Sequence, residues 1–293
     1  MAAATADMVQ PRKTGLARLS SLVSHGPLHV FLILVALAWL TPTLGLLVSS
    51  FRSAADYSES GWWTALTTPR QLTLEPYKEL LANETIITAL LNTVKIAVPA
   101  SFLVVVVAAM AAYAFSWVDF RGRDVLFIVV VGLLVVPLQM ALIPVARLFG
   151  NIGIFGTVWA AILFHIAFGL PFAIFLLRNF FIGIPGDLLE AARIDGASEI
   201  QIFRRIVLPL GMPAIASLLI FQFIWTWNDL LVALVFAGET TPLNVFIRQQ
   251  MRTYGTSIEI IAPGAFISMI VPVIVFFAFQ RYFVQGILAG SIK

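Results

Sequence analysis

Apolar residues gather in six long blocks, roughly 28–51, 90–115, 125–149, 156–177, 210–237 and 265–283, with polar stretches between them. Each block reaches the ~20 residues a helix needs to cross the hydrocarbon of a bilayer. The pattern predicts an all-α polytopic membrane protein with six transmembrane helices and both termini on one side. The first block is too long for the core of a signal peptide and follows a polar, basic stretch, so it reads as an uncleaved first span. No internal repeat and no linker is visible. The chain therefore divides into a tail, 1–27, and one transmembrane domain, 28–293, with polar segments at 52–89, 178–209 and 238–264.

Composition sharpens this reading. Of 293 residues, 60% are hydrophobic and 11% charged, a balance that leaves too much apolar surface for a soluble domain. The net charge of +3 comes from scattered rather than clustered Lys and Arg, which fits loop bias better than a nucleic-acid surface. With a cytoplasmic amino terminus the inside carries Arg12, Lys13, Arg18, Arg121, Arg123, Arg178, Arg193, Arg204, Arg205, Arg281 and Lys293. The outside keeps Arg52, Arg70, Lys78, Lys95, Arg147, Arg248 and Arg252. The positive-inside bias favours that orientation and puts segment 178–209 in the cytoplasm. The absence of cysteine excludes disulfides, thiolate metal sites and cysteine catalysis.

Segment 178–209 is the most informative. Pro185-Gly186 ends one helix, and Asp187 with Glu190 three residues later predicts a capping box for a short helix from 188 to 195. Gly196 suits the left-handed residue that stops it, and Ser198 with Gln201 predicts a second capping box. The second helix is expected to stop near Leu208, because a residue before proline is biased away from helical geometry. On it Ile202, Phe203 and Ile206 share a face that Arg204 and Arg205 leave. Two short helices at an angle make a knob, and Ala191 and Ala192 let another backbone come close.

The remaining polar features leave choices open. Segment 52–89 holds Trp62 and Trp63, read as interfacial anchors, and a stretch opened by Pro76 whose Tyr77, Leu80 and Leu81 form an amphipathic helix. Segment 238–264 is either a slack connector or a contact arm. Gln139, His165, Gln222, Asn228, Asp229 and Gln280 at membrane depth mark either a wet interior face or helix-to-helix hydrogen bonds. Trp225-Thr226-Trp227-Asn228-Asp229 fits either an aromatic belt or a sugar path, in which rings stack on the solute and the carboxylate accepts its hydroxyl protons. Pro42, Pro99, Pro137, Pro144, Pro171 and Pro272 suit helices that bend.

The spacing Glu190-Ala191-Ala192, Gly196, Ile206-Val207-Leu208-Pro209 resembles the EAA loop of ABC importer permeases at every defining position. Likeness to the maltose-type sugar permeases, the smaller subunit in particular, extends over nearly the whole chain. It includes Asn92-Thr93, Ala112-Tyr113-Ala114-Phe115, Trp227-Asn228-Asp229 and the ending Gly286 to Lys293, and the Trp62-Trp63 region is similar to alpha-glucoside permeases.

The resemblance implies a type I ABC importer architecture in the bacterial cytoplasmic membrane. The partners it implies are a second permease subunit, a dimer of ATP-binding subunits, an extracytoplasmic solute-binding protein, a sugar and membrane lipid. It assigns ATPase coupling to Glu190, Ala191, Ala192, Asp195, Gly196, Ile206, Leu208 and Pro209, and ATPase contact to the tail Gly290, Ser291, Ile292 and Lys293. The path falls to Trp225, Trp227, Asn228 and Asp229, and binding-protein contact to Asn244, Arg248, Arg252 and Tyr254. In that family the sugar is held mainly by the other permease subunit.

No Gly-x-x-x-x-Gly-Lys-Ser/Thr loop occurs, so ATP and Mg belong to a separate subunit and no catalytic residue or metal ligand is assigned here. Two alternatives are an importer permease for a non-sugar solute and an ion-coupled secondary transporter, which would call for mid-depth charges and an inverted repeat. A membrane-embedded enzyme would need converging catalytic groups, which three histidines do not supply.

Overall fold

The computed structural model describes the backbone of residues 15–253 and 258–291, and the side chains of 26–251 and 260–280. Among these residues helix dominates, and the one β-type contact is an isolated antiparallel bridge between Arg52 and Leu72. The long helix α1 (Gly15–Ser49) is followed by α2 (Ala54–Glu59), two short 3-10 turns and α3 (Glu75–Ala82). Then come α4 (Glu84–Trp117), α5 (Arg123–Leu133), α6 (Leu138–Asn151), α7 (Val158–Phe181), α8 (Gly186–Ile194) and α9 (Glu199–Ile202). A π-helical turn, Phe203–Val207, joins α9 to α10 (Leu208–Asn228), after which α11 (Leu231–Phe236), α12 (Leu243–Thr253) and α13 (Ile258–Ser291) complete the described chain.

Among the described residues five helices are long and apolar enough to cross a bilayer, six if α5 and α6 together form one broken span. The helices α4, α7 and α10 form the centre, each with half or more of its most apolar stretch buried, whereas α1 has 6% buried. A helix that apolar and that bare belongs against lipid or another chain. At one end of the bundle Val104, Ala108, Ala112, Leu177, Phe181 and Leu218 pack with Leu189 and Ile202 of the short helices. At the other, Phe149, Ala160, Phe164, Val232 and Phe236 form a second cluster, and Leu80, Ile86, Leu243 and Phe246 a third.

Four expectations change. The third span is broken: α5 and α6 meet at 104° around Leu134 to Pro137. Pro137 precedes α6 with ψ 131, outside helical geometry, and it has no N–H to continue the helix before it. The helix through Pro209 does not stop there. Residues from Glu199 to Asn228 run on as one rod, because the wider π turn lets Leu208 N–H bond Phe203 O and accommodates the proline ring at the start of α10. Segment 238–264 is not structureless, since α12 packs Leu243, Val245 and Phe246 inward and α13 begins at Ile258. The fifth apolar block is divided by Asp229 and Leu230, with α11 set off as a separate turn.

The helix over 75–82 forms as its pattern predicts. Leu80 is buried against Leu243 and Phe246, Leu81 is exposed, and Tyr77 reaches Ser50 Oγ at 2.8 Å. Arg52 is fully buried beside it, its guanidinium donating to the carbonyls of Asp56 and Ser60 and to the Ser60 hydroxyl at 2.6 to 3.0 Å.

Candidate functional site

The two short helices α8 and α9 form an elbow beyond the end of the bundle. Here one local expectation fails. Pro185, not Asp187, occupies the cap position of α8, so the helix begins at Gly186 and Asp187 lies in its first turn, where its charge still complements the helix end. The turn itself follows the sequence closely: Gly196 has φ 81, and Ser198 N–H donates to Gln201 Oε1 at 2.8 Å in a capping box. Nothing lies within 4 Å of a Cβ built on Gly196, so the left-handed backbone alone demands glycine there.

Leu189, Ile202 and Val207 anchor the elbow in the bundle with no exposed surface. The opposite side is bare: Glu190, Ala191 and Asp195 are exposed, Ile194 is 87% and Ile200 70% exposed, and Ala192 is half-buried. Ile194 and Ile200 are thus large apolar side chains left bare among charged neighbours. A hollow of about 240 Å³ in the crook is lined by Ala192, Asp195, Ala197, Gln201, Ile202, Arg205 and Ile206. Leu208 and Pro209 lie above it on the continuous rod, Leu208 half-buried and Pro209 exposed. Arg193 Nε donates to Glu199 Oε1 at 3.0 Å, and this hydrogen bond raises the guanidinium above its ordinary pKa.

Near the opposite end a polar cluster joins α7 to α10. His165 Nε2 lies 3.7 Å from Asp229 Oδ2 with the side chains 3% and 10% exposed, and Asp229 also accepts from Ala233 N–H at 3.0 Å at the start of α11. The two side chains thus face each other across helices at a separation beyond hydrogen-bond length. Gln222 is buried two turns before Asp229 on α10, its amide 2.9 Å from where a Cβ on Gly169 would sit, so the missing side chain at Gly169 makes room for that amide. Beside them a cavity of about 610 Å³ is lined by Phe168, Pro171, Phe172, Phe221, Gln222 and Trp225 together with Leu133, Leu134 and Val136 at the α5–α6 break.

The four residues assigned to the path separate. Trp225 faces this cavity, 41% exposed, and Asn228 is exposed with its amide on Ile224 O at 2.9 Å. Trp227 is 1% exposed and donates Nε1 to Ser268 O at 2.8 Å, so it does not line the cavity. Two residues on a helix differ by about 200°, which turns Trp227 into α13 when Trp225 faces the opening. Asn244 is likewise committed inward, donating to Trp227 O at 3.1 Å and accepting from Ser268 Oγ at 2.9 Å, so its amide is not offered to a partner. Arg248 is half-buried on α12. The side chains of Arg252, Gly290 and Ser291, and the whole of Tyr254, Ile292 and Lys293, lie outside the described residues.

Asn92 and Thr93, singled out by resemblance alone, fix α12 to α4. Asn92 donates to Thr241 O at 3.3 Å, and Thr93 Oγ1 accepts from Leu243 N at 2.9 Å. Sequence reasoning missed the set Tyr113, Arg193 and Glu199, which gathers where the elbow meets α4. The one available signal was the oppositely charged pair six residues apart across Gly196.

Comparison with known proteins places these features in a wider set. A family profile described as binding-protein-dependent transport system inner membrane component matches residues 104–289, the stretch that holds the elbow. The osmoprotective compounds uptake permease protein GgtD of Synechocystis sp. is 48% identical over 273 residues, covering 91% of this chain and 92% of that protein. The alpha-glucoside transport system permease protein AglG of Rhizobium meliloti is 48% identical over 255 residues, 84% of this chain and 67% of that protein. In fold the chain is similar to one from the crystal structure of a bacterial ABC transporter involved in the import of the acidic polysaccharide alginate, with TM-score 0.72, 24% identity and coverage of 94% of this chain and all of that one.

Proposed function

This chain belongs to the family of binding-protein-dependent transport system inner membrane components, and from that premise we propose that it is half of a sugar-conducting pathway driven by a separate ATPase docked on its elbow. The family makes it a permease of ABC importers, a transport component with several membrane helices. The observation that carries the coupling reading is the bare apolar and acidic face of α8 and its turn, Glu190, Ala191 and Ile194, borne on a rod that continues without a stop into α10.

In this reading nucleotide binding draws two ATPase subunits together, and the docked elbows carry that movement into the spans. Glu190 meets a basic group of the ATPase, Gly196 sets the turn, and Ala191 and Ala192 admit the ATPase backbone. ATP and Mg are held by the ATPase. The elbow and both termini face the cytoplasm, while segments 52–89 and 238–264 face a solute-binding protein on the other side. In the same reading the tail residues Gly290 to Lys293 contact the ATPase, and Arg248 and Arg252 contact the binding protein. A second permease covers the bare side of α1 and completes the pathway.

The relative named for alpha-glucoside transport, at 48% identity, supports an alpha-glucoside or related oligosaccharide as the solute. Trp225 beside Gln222 in the cavity gives a sugar ring an aromatic face and an amide. A relative of equal identity named for osmoprotective compounds supports a second reading, a small neutral osmolyte. Vesicles holding the whole importer, loaded with ATP and offered a panel of labelled alpha-glucosides and osmolytes, decide between them. Uptake of one class that depends on ATP and binding protein supports that class, and uptake of neither rejects both.

A further inference from the structure

Three side chains from three elements converge at the cytoplasmic end of α4 in the orientation proposed above. Tyr113, one turn before the end of α4, donates a hydrogen bond from its hydroxyl to Glu199 Oε2. Glu199 opens α9 and accepts through its other oxygen from Arg193 Nε at 3.0 Å, while Arg193 sits in the last turn of α8. The second arm of Arg193 donates Nη2 to Trp117 O at 2.8 Å, the last residue of α4. Glu199 is thus held from two sides, and both arms of Arg193 end on groups outside α8.

Apolar packing also joins the elbow to the bundle, through Leu189 and Ile202. Such packing is non-directional and lets one helix roll or slide on another. A planar guanidinium on a carboxylate and a carbonyl fixes angle as well as distance. The Tyr113 ring is 6% exposed and lies 5.2 Å from the Phe203 ring, on the π turn that leads into α10. A displacement of α8 and α9 therefore pulls directionally on α4, one of the three central helices of the bundle.

We propose that the Tyr113–Glu199–Arg193 clasp is the joint that delivers movement of the elbow to α4, so that these three are positioning residues for coupling ATP hydrolysis to transport. The proposal rests on the elbow being the ATPase docking point. A joint of this kind is distinct from the docking face: Arg193 and Glu199 are exposed as Glu190 and Ile194 are, but their side chains are bonded to Trp117 O and Tyr113 of α4.

The test uses the reconstituted importer with its ATPase, second permease and binding protein, carrying Tyr113→Phe, Glu199→Gln or both. Expected are full retention of the ATPase on purification, ATP hydrolysis within about two-fold of the unaltered importer, and a fall of about five-fold or more in solute moved per ATP, the scale of a 1 kcal/mol coupling. The double variant should fall no further than Glu199→Gln alone, because both changes break one joint. Solute moved per ATP that stays unchanged in both single variants overturns the proposal. So does loss of the ATPase on purification in both, which would make the clasp a brace for the shape of the docking face. The docking premise fails separately, if Glu190→Arg still retains the ATPase, and the proposal then falls with it.

Discussion

His165 on α7 directs Nε2 at Oδ2 of Asp229, 3.7 Å away, and so pins α7 to the break between α10 and α11. The carboxylate serves two purposes there, because it also accepts the Ala233 N–H that α11 leaves without a helical partner. Asp229→Ala removes both and leaves a buried histidine facing none. Loss of the Ala233 hydrogen bond at a buried site costs about 1–2 kcal/mol, whereas Asp229→Asn keeps an acceptor for Ala233 and costs less. Denaturant unfolding in detergent, run as a cycle with His165→Leu, should give a double variant cheaper than the sum of the singles. Strict additivity would show that the two side chains do not depend on each other.

The glycines offer a contrast that isolates backbone strain from packing. Gly196 has φ 81 with open space around it, while Gly238 has φ 54 and a Cβ there would stand 2.1 Å from Gly156 O. Gly196→Ala is expected to cost about 1 kcal/mol, the left-handed penalty alone. Gly238→Ala meets main chain that cannot swing aside, and about 3 kcal/mol is expected. Thermal unfolding of the two variants checks the order, and equal losses would contradict it.

The two tryptophans two residues apart should behave as different kinds of residue. Trp227→Phe strands the buried Ser268 carbonyl at a cost of about 2 kcal/mol, with transport per folded molecule unchanged. Trp225→Ala opens a face of the cavity at about 1 kcal/mol or less, and uptake should fall several-fold. The pairing of unfolding midpoints with uptake rates separates them. A Trp225 variant with full uptake would remove that residue from the path.

The all-helical architecture was legible because apolar blocks of spanning length have no soluble alternative, and the elbow because Gly196, Ser198 and Gln201 state their geometry locally. What the sequence concealed depended on distance. Whether Pro209 ends a helix or rides through on a π turn depends on the turn before it, whose Val207 is buried in the same cluster as Tyr113 of α4, a contact no local rule contains. The break at Leu134 to Pro137 was hidden in an unbroken apolar block, since Pro137 alone reads as a kink. Helix α12 escaped notice because its polar residues dominate the count, although Leu243, Phe246 and Ile247 recur on one face. Trp227 and Asn244 were assigned outward roles by motif, and their hydrogen bonds to α13 and to each other turn them inward.

The central claim is that the bare face of the elbow receives the ATPase, and the chain allows a direct measurement because it contains no cysteine. A single Ile194→Cys, at a side chain 87% exposed, can be joined by a short thiol-reactive linker to a cysteine placed in the ATPase cleft, in the intact importer in vesicles. The account predicts an efficient link from position 194 and none from Glu239→Cys at the far end of the bundle. A link from 239 with none from 194 would contradict it.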